Sequence, residues 1–317
     1  MRAVQITSLA GPEAVTVCEV GAPSSTGKVL IRVHAAGVSF PEVLQSRGQY
    51  QTKPTLPFVP GAELAGVVVE APTGSEFSPG DRVAALSAVG AFAERAAVDP
   101  RYVFPLPDSV SFEAGAAVIL NYGTAYFALL ERGRLLAGES VLVHGAAGGI
   151  GTAAIQVAKA FGAGRVAAVV STAAKADVAS AAGADDYVLA DGFRDRLAGA
   201  TFDVVVDPVG GDRFTDSLRL LAENGRLLVI GFTAGAIPEV KVNRLLLSNT
   251  AVVGVGWGPL VLARPDRLRR QWDALAPHLS TGALKPIISS VRPMEQIVEA
   301  LLEIDERRAT GKVIVTP

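Results

Sequence analysis

The chain has 317 residues, half of them hydrophobic and 19% charged, with a formal net charge of -2. That length suits roughly two domains of about 150 residues each, and nothing in the charge balance, with its pI near 6.0, suggests the basic footprint of a nucleic-acid binder or a polybasic membrane patch, so the expected partner is a small molecule. The single cysteine, Cys18, excludes an internal disulfide framework and a four-cysteine zinc site, and points to the cytoplasm.

The first residues, 1–6, read as a strand and lack the apolar core and cleavage site of a signal peptide. Up to about residue 118 the pattern is short strands, at 29–34, 66–70 and 82–86, broken by Gly and by Pro54, Pro57, Pro60, Pro79, Pro100, Pro105 and Pro107, as in an antiparallel β lobe. From about 119 strands alternate with helices: a strand at 140–144, a helix to 161, a strand at 165–170, a helix to 182, a strand at 203–207, a helix to 221 and a strand at 226–230. Such alternation predicts a parallel, doubly wound sheet. An apolar run at 251–255, a charged helix over 265–279 and short strands at 287–291 and 312–315 follow. The last two read as the β lobe resuming. The expected fold is thus α/β, with a Rossmann-type domain over 119–258 inserted into a β-rich substrate domain made of 1–118 and 259–317, and a cleft between them. The longest apolar runs, such as 166–170 and 227–230, fall far short of the roughly 20 residues that span a bilayer.

The motif that carries chemistry is Gly145-Ala146-Ala147-Gly148-Gly149-Ile150-Gly151, which leaves the strand Val141-Leu142-Val143-His144 and enters a helix. Gly148 and Gly149 would let the backbone turn tightly and approach a pyrophosphate, Gly151 would let helix and strand lie close, and the helix N-terminus would present unpaired N–H groups to the anion. Nicotinamide sites specific for NAD place an Asp or Glu at the end of the second strand. Here that strand ends in Ser171-Thr172-Ala173-Ala174-Lys175. Two hydroxyls and a cation suit a 2′-phosphate, so the expected cofactor is NADPH; the hydroxyls also suit a helix cap, and the two roles are compatible.

No metal is expected. His34, His144 and His278 show no ligand spacing, and no G-x-S-x-G elbow marks a nucleophilic serine.

The whole chain resembles the medium-chain dehydrogenase/reductase superfamily, and within it the zinc-independent quinone oxidoreductase branch related to zeta-crystallin. The residues that carry the likeness run from Ala36 to Glu42, Arg47 to Tyr50, Leu56 to Val68 and Asn121 to Tyr126. The glycine turn, Asp207-Pro208-Val209-Gly210-Gly211, Gly231-Phe232 and Arg308 to Val313 complete the set. Zinc-dependent relatives carry a Cys within the segment matching 38–41 and a His at the position of Ala62. The resemblance implies a GroES-like substrate domain and a homodimer paired through an edge strand at 251–255. It implies that Thr124 lies beside the nicotinamide, unless it is a helix cap, and that Gly231-Phe232-Thr233 and Val255-Gly256-Trp257 line it. Tyr50 would be the catalytic aromatic near the substrate or else a packed phenol, and Lys312 would approach the cofactor phosphates or else sit solvated. Ser39 stands where many members have Asn, Leu44 where well-known ones have Tyr, and Ala190 where a polar or aromatic residue is frequent; the first two join Tyr50 as substrate residues.

The expected activity is NADPH-dependent hydride transfer to a quinone. The alternative enzyme reduces an activated C=C bond with Tyr50 or water as proton donor. A reading of another class, an NADPH- or RNA-binding protein with incidental activity, meets the objection of the acidic pI as regards RNA.

Overall fold

The computed structural model describes all 317 residues. It divides into two compact units: Met1–Leu120, Val261–Ser280 and Pro286–Pro317 form the first, and Asn121–Leu260 with Thr281–Lys285 form the second.

The first unit opens with β1 (Arg2–Gln5) paired antiparallel to β2 (Thr16–Glu19). β3 (Val29–Val38), β4 (Glu63–Glu70), β5 (Arg82–Leu86), β6 (Arg95–Val98) and β7 (Val103–Pro105) follow. β3 runs past the expected end at 34 because Ala35, Ala36 and Gly37 are small enough for a strand covered on both faces; it pairs with β4 on one side and with β6 and the C-terminal strand on the other. The helix Phe40–Ser46 was not expected in a β lobe. Ser39 starts it, with its backbone N–H donating to the Glu42 carboxylate at 2.9 Å, as in a capping box.

In the second unit β8 (Ser140–His144), β9 (Arg165–Val170), β10 (Asp186–Leu189), β11 (Phe202–Asp207), β12 (Leu221–Val229) and β13 (Ala251–Gly254) form one parallel sheet in the order β10-β9-β8-β11-β12-β13. Reversal of strand order between β8 and β11 is the mark of a doubly wound sheet, and ligands of such sheets bind beyond the carboxyl ends of the strands at that switch point. The paired interiors of four strands, β8, β9, β11 and β12, carry apolar runs with Val141, Leu142, Val166, Val204, Val205 and Leu227 buried, as parallel strands covered on both faces require. β12 touches β11 at Leu221, loops out through Asn224, whose φ is 63°, and resumes pairing at Arg226, where the strand was expected. The helix before it ends at Leu218, not 221.

The chain returns to the first unit with the helix Pro265–Thr281, then β14 (Ile288–Pro293) and β15 (Lys312–Thr316), which are parallel to one another, while β15 is antiparallel to β3. Between them lies a helix not expected from the sequence, Ile297–Asp305, which buries Ile297, Ala300 and Leu301. No helix is long and apolar enough to cross a membrane.

Candidate active site

The glycine turn leaves β8 and enters the helix Gly149–Ala160, whose cap is Gly148. The left-handed residue is Gly145, at φ 57°, and not Gly148, whose φ is -83°; the expected tight turn therefore starts three residues earlier. The Gly148 N–H closes it onto the Gly145 carbonyl at 2.9 Å. A Cβ on Gly151 would stand 2.2 Å from that same carbonyl oxygen and 2.6 Å from the Ala146 Cα, so helix and turn touch with no room between them. A Cβ on Gly148 would meet only the Gly145 oxygen at 3.4 Å, so space lies open above the turn. Ala147 is buried while Gly148, Gly149 and Ile150 are part-exposed. The first N–H groups of the helix, Gly149 to Gly151, have no carbonyl one turn back. Open space facing free donors at the positive end of a 12-residue helix fits a pyrophosphate.

At the end of β9 Ser171 and Thr172 are exposed and Lys175 is part-exposed. The Thr172 hydroxyl caps the helix Ala173–Ala181, accepting from the Lys175 N–H at 3.4 Å. No carboxylate stands among residues 171–175.

Other residues of this unit form its frame. Thr124 is buried in the helix Ile119–Tyr126. One residue earlier, a Cβ on Gly123 would lie 2.8 Å from the Trp257 indole, so this glycine is what lets Trp257 pack there. Tyr122 is fixed by donating to Gln156 at 2.8 Å, and Gln156 also bonds both the N–H and the carbonyl of Lys285. Val255 is buried and donates its N–H to the Val229 carbonyl, while Gly256 is exposed. Thr233 bonds the Pro208 carbonyl through both its N–H and its hydroxyl. Gly231 is part-exposed, and Phe232 leaves 36% of its surface exposed.

His144 closes β8 as a structural group. The Ser217 hydroxyl donates to the Arg213 carbonyl at 3.0 Å, so its oxygen accepts from His144 Nε2–H at 2.8 Å, and Nδ1 is left as a bare, buried lone pair. Burial lowers its pKa to about 4, against the pull of Asp207, which keeps the ring neutral.

The first unit holds a polar cluster that the sequence did not announce. Lys312, the first residue of β15, is buried and donates to Glu63 and, at 2.5 Å, to Ser39. It is therefore buried and not solvated, with its ammonium engaged by two partners inside the first unit. Glu63 opens β4, and its second oxygen accepts from the Leu120 N–H at 2.9 Å. Gly37 makes room: a Cβ there would stand 2.3 Å from the Ala116 oxygen, 2.5 Å from the Lys312 side chain and 2.8 Å from the Glu63 carboxylate. Glu42 is also buried, and burial pushes its carboxyl up to about 7 in spite of Lys312. A desolvated cluster of one ammonium and two carboxyls is neutral when one carboxyl keeps its proton; burial raises Glu63 as well, but Glu63 is the carboxylate paired with Lys312, which leaves Glu42 to keep the proton. The partly buried Tyr50 phenol is raised by burial and by the Glu42 charge, and stays protonated. Leu44 lies part-exposed on the same helix as Glu42. The legible signals were a carboxylate opening an apolar strand and a lysine opening another.

No three His, Cys, Asp or Glu side chains converge so as to hold a metal ion. Ala62 offers no ligand beside Glu63, and His34 is stacked on Phe112 with ring centroids 4.3 Å apart.

A GroES-like β unit joined in one chain to a parallel sheet opened by a glycine turn defines the medium-chain dehydrogenase/reductases. Two family models match: the alcohol dehydrogenase GroES-like domain over residues 25–108 and the zinc-binding dehydrogenase over residues 149–277. Quinone oxidoreductase-like protein 2 of Mus musculus is 36% identical over 99% of this chain and 92% of its own length. The crystal structure of a probable oxidoreductase from Mycobacterium abscessus matches with a TM-score of 0.90 at 42% identity, covering 100% of this chain and 99% of that one. The quinone oxidoreductase of Thermus thermophilus, solved also as its complex with NADPH, matches with a TM-score of 0.87 at 36% identity, covering 100% of both chains. The chain belongs to the quinone oxidoreductase branch of the medium-chain dehydrogenase/reductase superfamily and is an oxidoreductase.

Proposed function

We propose that the protein uses NADPH, without a metal, to reduce a quinone. The observation that carries this reading is the end of β9, where Ser171, Thr172 and Lys175 stand with no carboxylate to repel a 2′-phosphate. The NADPH complex of the Thermus thermophilus enzyme supports the same cofactor. The turn Gly145–Gly151 would hold the pyrophosphate, Thr124, Gly231–Thr233 and Val255–Trp257 would line the nicotinamide, and Ser39, Leu44 and Tyr50 would take the acceptor. When bound, NADPH supplies the hydride. The reduced quinone is stabilised by its own ring, so the protein's task is orientation and a hydrogen bond to the developing oxyanion. The absence of a His, Cys or carboxylate set that could hold zinc supports metal-free chemistry.

Reduction of an activated C=C bond is the second reading, favoured by the protonated Tyr50 as a donor to the α-carbon. The two separate in one assay: purified protein with NADPH or NADH, against a quinone panel and an enone panel. Quinone turnover with NADPH preferred supports the first reading. Equal use of NADH sinks the argument from β9, turnover of enones alone selects the second, and a Tyr50→Phe variant that keeps its C=C activity removes that residue as proton donor.

The protein is further proposed to be a cytoplasmic homodimer. β13 is an edge strand whose Ala251 and Gly254 are exposed, and Val242, Leu246 and Leu247 nearby in sequence leave 71%, 75% and 79% of their surfaces exposed. Light scattering that gives a monomer mass at micromolar concentration would refute the dimer.

A further inference from the structure

We propose that Lys312 is a positioning residue for the reduction: held by Glu63, it fixes the Ser39 hydroxyl so that the single hydroxyl proton is left to bond the acceptor oxygen. The inference rests on the proposed placing of Ser39 in the acceptor site.

The argument is a hydrogen-bond inventory. An ammonium only donates, so in the Lys312–Ser39 contact the Ser39 oxygen accepts. A hydroxyl has one proton, and no acceptor on the protein takes it. Of the neighbouring carboxyls, Glu63 accepts from Lys312 on one oxygen and from the Leu120 N–H on the other, and one Glu42 oxygen accepts from the Ser39 backbone N–H. Ser39 is also where the cluster meets its surroundings. Its exposure is 8%, against 3% for Lys312, 1% for Glu42 and 0% for Glu63. A donor whose oxygen is already polarised by an ammonium is a stronger donor than a free hydroxyl, because successive hydrogen bonds reinforce one another at low dielectric.

A purely structural ion pair explains less. Replacing a buried pair by apolar side chains of similar size is often neutral or stabilising, so stability alone gives little reason to bury this one. Here the fold also keeps Gly37 bare, with Lys312 and Glu63 lying where its Cβ would be. The carboxylate aims the ammonium, and the ammonium aims the hydroxyl.

As hydride reaches the acceptor, negative charge gathers on its oxygen, and the Ser39 O–H bonds it there. No covalent bond to the protein forms, and the last proton can come from water.

Lys312→Met alone would strand a buried carboxylate, so the test uses Lys312→Met with Glu63→Gln, which keeps an acceptor for the Leu120 N–H. Steady-state kinetics with a benzoquinone, NADPH titration by fluorescence and calorimetric binding of benzene-1,4-diol are measured for this double variant, Ser39→Ala, Ser39→Thr and the triple variant K312M/E63Q/S39A. The expected result is a fall in kcat of about a hundredfold for S39A and for the double variant, no further fall in the triple variant, near wild-type kcat for S39T, and unchanged NADPH affinity. Binding of the diol should weaken by roughly tenfold in S39A and in the double variant. Losses that multiply in the triple variant overturn the proposal, as does a double variant that keeps its kcat or loses NADPH affinity instead. If the double variant does not fold, equal kcat losses in S39A and S39T overturn it and rescue by S39T upholds it. Wild-type protein that turns over no acceptor overturns the proposed function and this inference with it; active wild type with indifferent variants overturns this inference alone.

Discussion

Gly151 packs so tightly on Gly145 that a Cβ at residue 151 would lie 2.2 Å from the Gly145 carbonyl oxygen. The nearest atoms are all backbone, so an added methyl cannot be relieved by a rotamer change. Gly151→Ala must push the helix Gly149–Ala160 off the turn, at a cost of about 1–3 kcal/mol as for other overpacked sites. The free N–H groups at its start move with it. Fluorescence titration should show NADPH binding weakened by about tenfold, the equivalent of about 1.4 kcal/mol. Gly148→Ala, with φ at -83° and open space above it, should leave the melting temperature nearly unchanged while still weakening NADPH.

The end of β9 makes a separate prediction about cofactor choice. Lys175→Ala should weaken NADPH by about 1 kcal/mol, in line with one lost charge-assisted contact to a phosphate, and leave NADH unaffected. Ser171→Asp should go further and reverse the preference, since a carboxylate repels the 2′-phosphate and accepts from a 2′-hydroxyl. The ratio of kcat/KM values for the two cofactors measures both effects.

His144 makes a contribution to stability that is lost on the acid side. Its folded pKa is lowered by burial to about 4 from 6.5. Between those values the unfolded chain holds the proton and the folded one does not, so stability rises with pH across the window and is fully present above 6.5. The span is worth about 3 kcal/mol. His144→Gln keeps a donor for Ser217 and cannot ionise; urea unfolding as a function of pH should lose this slope.

Glu42 acts with the opposite sign in an overlapping window. Burial raises its folded pKa from 4.5 to about 7, so its contribution is fully present below 4.5 and is lost as pH rises through 7. The two slopes partly cancel in the wild type. Glu42→Gln, which still accepts from the Ser39 N–H, should therefore expose the rising slope of His144, and His144→Gln the falling slope of Glu42. A flat profile in both variants would show that neither group titrates as described.

Much of the second unit was legible because parallel strands and their helices are local signals. Strands 140–144 and 165–170 stand where β8 and β9 lie, and the strand expected at 226–230 coincides with the paired part of β12. The first unit was less so. The helix Phe40–Ser46 is short and enters through a capping box amid strand-like neighbours, and the helix Ile297–Asp305 was missed even though Ile297, Ala300, Leu301 and Ile304 follow a helical period.

By itself the sequence determined the class of chemistry. A glycine turn between a strand and a helix and a second strand ending without an acid are statements about neighbours along the chain. The polar cluster was decided only by the tertiary structure. Ser39, Glu63 and Lys312 are separated by up to 273 positions, and a lysine opening a strand gives no sign of where its ammonium will go. Antiparallel pairing of β3 with both β4 and β15 sets Gly37 opposite Glu63 on one side and Ile314 on the other, and the space over that glycine is what brings cation, carboxylate and hydroxyl together.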